Sequence, residues 1–196
     1  SNVPFMQTAS VHDQTRDRVF FVGSFSKVLF RGLRLGFIVT PKKHIEVVHK
    51  SQRVLGASSS LPMQPAVADF MQQGHFNRHV NKMRRHYRLK RDFLILLLER
   101  RLSSWCEWKK PRGGMHILIT LKSSVVLALS SARILDQQIA LDLAEKGIEL
   151  SPLSLHYSGV YGALNMGFLL VFSGAKDETM THIVVALEHW FQKKLR

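Results

Sequence analysis

Two apolar runs, Val19-Phe20-Phe21-Val22 and Leu35-Gly36-Phe37-Ile38-Val39, bracket a short polar stretch. Each run has the length and composition of a short buried strand. The stretch between them holds Gly23-Ser24-Phe25-Ser26-Lys27 and then Arg31-Gly32-Leu33-Arg34. A lysine ammonium flanked by strand-forming apolar residues faces desolvation, which disfavours its charged form and lowers its pKa. An amine in that condition is a nucleophile for carbonyls and forms Schiff bases. Ser24 and Ser26 can donate hydroxyl hydrogens to an anion, and Arg34 offers a planar bidentate fork.

An amine nucleophile beside an anion cradle is what pyridoxal phosphate (PLP) requires of a protein. The spacing Gly-Ser-Phe-Ser-Lys-x-x-x-x-Gly-x-Arg-x-Gly resembles the cofactor-lysine segment of fold-type I PLP aminotransferases. A second run, Gly74-His75-x-x-Arg78-His79-x-x-x-Met83-Arg84-x-x-Tyr87-x-x-Lys90-Arg91, follows it. The pair resembles the aminotransferase-like domain of MocR/GabR-type transcriptional regulators of the GntR group. The resemblance implies Lys27 as the Schiff-base lysine, with Ser24, Ser26 and Arg34 on the cofactor phosphate.

The fold class it implies is α/β and α+β, the C-terminal portion of a fold-type I domain. Residues 1–74 are then a partial large domain carrying the cofactor lysine, and residues 75–196 the small C-terminal domain. A partial large domain leaves sheet edges and apolar faces uncovered, so association with a second copy is expected. The family assembles as dimers. Its winged-helix DNA-binding domain and the first part of its cofactor domain fall outside this chain.

Along the chain, residues 1–18 read as irregular, and Asp13 and Asp17 as surface turn residues rather than the family's partner for the pyridine nitrogen. Thr40-Pro41 opens a helix, with Thr40 as its N-cap. Gly56-Ala57-Ser58-Ser59-Ser60 breaks it, and Leu61-Pro62 begins another that Gly74 ends. From His75 the longest helix runs with Phe76, Val80, Met83, Tyr87, Leu94 and Leu97 at helical spacing, interrupted around Lys90 and Arg91. Pro111-Arg112-Gly113-Gly114 opens an apolar strand and resembles a turn of aminotransferase small domains. Residues 132–146 read as an amphipathic helix, 148–150 as a strand, 168–172 as a strand and 176–190 as a final helix. Ser151-Pro152-Leu153-Ser154-Leu155-His156-Tyr157-Ser158-Gly159 takes the place of the family's ligand-facing loop.

The charge bears on partners. The chain carries a formal +14, and residues 75–112 hold twelve Lys/Arg against three Asp/Glu. Such a stripe either solvates a helix face or attracts phosphates. No apolar run reaches the roughly 18 residues of a membrane span. Nothing at the start resembles a signal peptide, and the single Cys106 suits a reducing compartment, so the reading is cytoplasmic. His75 and His79 share a helix face without an acidic or cysteine companion, so no metal site is read there.

One departure affects function. Aminotransferases grip the substrate carboxylate with an arginine near the last strand, in the pattern Leu-Arg-Leu-Gly-Phe. This chain has no arginine between Arg133 and Arg196, and Leu169 stands about where that arginine is expected. Arg31 reads as a surface residue. The reading is therefore a PLP-dependent sensing domain that takes a small amine or amino-acid effector. DNA is bound elsewhere in the complete protein. The alternatives are a genuine PLP-dependent aminotransferase and a cofactor-free interaction module.

Overall fold

The structure, a computed structural model, describes residues 18–55, 62–157 and 165–195. Asp13, Asp17, the Gly56–Ser60 break, Leu61 and the Ser158-Gly159 end of the loop lie outside the described residues. The chain divides into two compact units, one ending at Met83 and the other beginning at Arg84.

In the first unit, β1 (Phe21–Ser24) pairs antiparallel with β2 (Gly36–Val39), Phe21 facing Val39 and Ser24 facing Gly36. A 3-10 turn, Lys42–His44, leads into α1 (Ile45–Val54), and α2 (Met63–Gln72) follows. Pro41 occupies the cap position and Thr40 makes no capping bond, correcting the expected N-cap. The core here is small: Leu33, Leu35 and Val67, with Phe25, Leu29 and Met63 against them. The two strands are not the buried strands expected. Val22 is 70% exposed and Ile38 53%, because no further strand or helix among the described residues covers the two-stranded ribbon.

Gly74, at φ 75°, closes the turn after α2, a left-handed conformation that costs glycine least. Helix α3 (His75–Arg101) begins directly after it and crosses the division between the units.

The second unit is built on a four-stranded antiparallel sheet in the order β3-β4-β6-β5. Its strands are β3 (Cys106–Trp108), β4 (His116–Leu121), β5 (Ser151–Pro152) and β6 (Gly167–Val171). Along β4, Ile117, Ile119 and Leu121 point to one face and are buried, while His116 and Leu118 on the other are exposed. That buried face meets the C-terminal half of α3 through Leu94 and Leu98, and Leu102 just beyond its end joins them. The same core takes in α4 (Ser123–Ser131), α5 (Asp136–Ala144) and α6 (Asp177–Lys194). From α6 come Val184, Leu187 and Phe191, all with no exposed surface, and Trp105 stacks on Phe191 at 5.6 Å. Gly167 is fixed by space: a Cβ there would lie 2.1 Å from the Ile119 carbonyl oxygen.

Several expected boundaries move. The helix read from Ala132 starts at Asp136, because Arg133 turns left-handed at φ 56° and breaks the chain after α4. The strand read over 148–150 is instead the short β5 at Ser151–Pro152, and β3 and α4 were not read at all. The interruption in α3 around Lys90 and Arg91 is no break. Both side chains are half-buried; Lys90 donates to the Ala175 carbonyl, and Arg91 donates to Asp92 at 2.8 Å and to the Pro111 carbonyl at 3.1 Å.

Candidate cofactor site

The four predicted cofactor residues lie at one end of the β1–β2 ribbon. Ser24 is the last residue of β1, opposite Gly36, and the Phe25 N–H donates to the Leu35 carbonyl at 3.0 Å. The chain then turns tightly: Val28 and Leu29 N–H both return to the Phe25 carbonyl, at 3.1 and 2.7 Å. Lys27 stands on that turn. The Ser26 N–H donates to Ser24 Oγ at 3.2 Å, which orients the Ser24 hydroxyl and leaves its own hydrogen free to donate.

Arg34 closes the other side. It follows the 3-10 turn Arg31–Leu33 and sits at φ 48°, ψ 34°, a left-handed conformation uncommon for a residue with a side chain. Such a conformation costs about 1–2 kcal/mol for a non-glycine residue. Leu33 and Leu35, 2% and 7% exposed, anchor it on both sides in the small core, so the guanidinium is turned outward. Arg31 is exposed, as read from the sequence.

Chemically the set fits a phosphorylated aldehyde: hydroxyls and a guanidinium for the dianion, an amine for the carbonyl. Burial differs from expectation. Lys27, Ser24 and Arg34 are exposed and Ser26 is half-buried. The desolvation expected of Lys27 is not supplied by the described residues, because the flanking strands are themselves uncovered.

Sequence reasoning missed what holds the lysine turn. His79 Nε2 donates to the Val28 carbonyl at 2.9 Å, one residue beyond Lys27, and Phe76 meets Phe25 edge-on at 6.1 Å. The second motif thus reaches the first. Its other members form a local cluster: Arg78 Nη2 donates to His75 Nδ1 at 3.0 Å, and His75 Nε2 donates to Gln73 Oε1 at 3.0 Å. No group of three metal-ligating side chains occurs among the described residues.

The second missed residue is Asp136, which has no exposed surface. A buried carboxylate must be hydrogen-bonded. Its Oδ2 accepts from the backbone N–H of Ser154 and of Gly167, each at 3.0 Å, and its Oδ1 accepts from the Ser154 hydroxyl. Gln137 Nε2 adds a bond to Ser154 Oγ at 3.1 Å. One aspartate thus fixes the turn Leu153–His156 against the start of β6. Leu155, His156 and Tyr157 are left exposed beyond it. The only signal in the sequence was an acid in the first turn of a helix, where the dipole favours it.

Comparison with known proteins gives these features a context. Residues 4–185 match the family described as aminotransferase class I and II. The chain belongs to that family. This aminotransferase-family chain is 29% identical over 175 residues to the "Probable rhizopine catabolism regulatory protein MocR" of Rhizobium meliloti, covering 89% of this chain and 33% of that protein. It is 31% identical over 142 residues to the HTH-type transcriptional regulator YhdI of Bacillus subtilis, covering 71% of this chain and 28% of that one. The chain therefore spans about a third of the curated relatives it matches. Among solved structures, a multiple substrate aminotransferase from Thermococcus profundus superposes with a TM-score of 0.77 at 22% identity, over 91% of this chain and 42% of that one. A kynurenine aminotransferase from Pyrococcus horikoshii gives the same TM-score and identity over 92% and 42%. The fold is that of part of a fold-type I aminotransferase, and the MocR-type resemblance read from the two motifs agrees with the regulators among its relatives.

Within this family the position of the missing arginine can be corrected. The Gly-Phe of the pattern Leu-Arg-Leu-Gly-Phe falls on Gly167-Phe168, which puts Asn165, not Leu169, in the arginine's place. Leu169 lies in the middle of β6, paired with Leu118 and Ser151.

Proposed function

We propose that this chain is the C-terminal part of a PLP-binding sensor within a transcription regulator, and that it takes a small amine or amino acid as effector. The observation that supports the reading is that Ser24, Ser26, Lys27 and Arg34 all lie at one end of the ribbon, in an aminotransferase-family chain whose relatives include HTH-type regulators. Bound PLP would supply an electrophilic carbon to which amines add reversibly. In this chain Lys27 would hold that carbon, Ser24 and Ser26 would donate hydroxyl hydrogens to the phosphate, and Arg34 would neutralise it. His79 would keep the lysine turn in place through the Val28 carbonyl.

Asn165 in place of the arginine removes a bidentate carboxylate clamp, which favours sensing over amino-group transfer. An effector acts only through different affinities for two states of the complete protein. In that protein, DNA would be bound by a winged-helix domain outside this chain, in the cytoplasm. The uncovered ribbon, with Val22, Phe30 and Ile38 more than half exposed, supports assembly as a homodimer.

The test is PLP binding by the complete protein and by its Lys27→Ala variant. The expected result is a visible absorbance band in the first only. Borohydride reduction should then leave a mass increment on the peptide carrying Lys27. Absence of a lysine-dependent band overturns the reading. Keto-acid formation from amino acids would replace the sensor with a transferase.

A further inference from the structure

Removing the cations that α3 has already spent inside the fold leaves a defined surface in the second unit. Lys90 and Arg91 are tied to carbonyls and to Asp92, as described. Arg84, Arg85 and Arg88 are different: all three are exposed, and none makes an ion pair or hydrogen bond with a described residue. Arg84 and Arg88 stand one helical turn apart, and Arg85 lies beside them. Asp92 comes one turn after Arg88.

Asp92 is what enlarges the surface. Its Oδ1 takes Lys110 Nζ at 2.9 Å as well as Arg91 at 2.8 Å, and Arg91 reaches the Pro111 carbonyl. The Lys110 ammonium, through its hydrogen bond, and then Arg91 hold the Asp92 carboxyl below its usual pKa. One acid thus pins the loop before β4 onto the helix and is itself neutralised. The pinned loop carries Lys109 and Arg112 on either side of Lys110 and Pro111, both exposed and unpaired among the described residues.

We infer that this surface, Arg84, Arg85 and Arg88 with Lys109 and Arg112, binds the phosphate backbone of duplex DNA without reading its sequence. Charge complementarity carries the choice of partner. Five unpaired cations stand on the helix and on the loop that this satisfied carboxylate joins, with no further acid between residues 84 and 98. A lipid surface would need an apolar face beside the cations, but α3 commits its apolar side to the core here, and Leu89 alone is exposed among the arginines. The inference goes beyond the cofactor reading, since it places a DNA contact on this chain itself rather than on a separate winged helix.

The experiment uses the 196-residue chain and fluorescence anisotropy of a labelled mixed-sequence duplex across a salt series. Each phosphate neutralised contributes about −0.9 to the slope of log affinity against log salt, so five contacts give about −4 to −5. The triple variant Arg84→Gln, Arg85→Gln, Arg88→Gln should weaken binding and flatten that slope to about −2. Lys109→Gln with Arg112→Gln should flatten it to about −3 independently. A control losing equal charge elsewhere, Lys146→Gln with Lys193→Gln and Lys194→Gln, should keep the parent slope. Circular dichroism checks that each variant is folded, as expected for exposed positions. The inference is overturned by no binding at low salt, or by equal slopes for the triple variant and the control. Tighter binding to phosphatidylserine vesicles or to polyglutamate than to the duplex also overturns it. Because no cofactor enters the assay, its failure would leave the Lys27 reading intact, and the converse holds.

Discussion

Cys106 lies in β3 with 2% of its surface exposed, and burial pushes its thiol up to about 12. The thiolate is the reactive species, so this cysteine is chemically silent in the folded chain. A thiol reagent near pH 8 should label none of the native protein and one equivalent after denaturation; native labelling would show that the second unit opens readily. The residues that the sequence proposes and those it passes over differ in one physical respect. Ser24, Ser26, Lys27 and Arg34 could be proposed from the sequence because they form a local polar cluster between two apolar runs. His79 and Asp136 were not. Each acts by reaching a backbone group far along the chain, Val28 for one, Ser154 and Gly167 for the other. No spacing rule announces such a partner.

Among elements, α5 and α6 are linked by a polar contact at the edge of an apolar interface. Trp190 Nε1 donates to Asp142 Oδ2 at 2.8 Å. The Gln138 amide, and then Trp190, hold the Asp142 carboxyl below its usual value. A depressed folded-state pKa means stability that is present above the unfolded value, about 4, and is lost as pH falls through the folded one. Urea unfolding at pH about 5 and about 3 should therefore show a drop for the native chain, smaller in Asp142→Asn. An equal drop in both would remove Asp142 from the account. Helix existence was legible wherever apolar residues kept a 3.6 period over several turns, as in α3 and α6. The edges moved by a few residues, in one case because the cap expected from Thr40 is not used. The short strand β3 escaped notice because its three residues, Cys106-Glu107-Trp108, pair only once β4 is beside them. In the same way, the apparent flaw in α3 was two cations acting as staples, something only the Pro111 and Ala175 carbonyls could reveal.

At the scale of the whole molecule, the two units differ in how much they bury. The second packs a sheet face and four helices into one core with many side chains wholly out of water. The first gathers three buried residues under an open ribbon. Hydrophobic stabilisation follows buried apolar area, and local opening follows its absence. Amide hydrogen exchange should be slowest in β4, β6 and the C-terminal half of α3, and fast throughout β1, β2 and α1. Protection of β1 equal to that of β4 would contradict this ordering. The fold class was legible from two motifs, but the poverty of the first unit's burial was not, since apolar runs alone do not say what covers them.

The buried Asp136 also decides which positions of its loop tolerate substitution. Two stretches of chain, at Ser154 and at Gly167, answer to one side chain, so replacing Asp136 would release the turn at Leu153–His156 and the start of β6 together. Leu155, His156 and Tyr157 stand exposed beyond that anchor, so side-chain substitutions there leave the bonds to Asp136 in place.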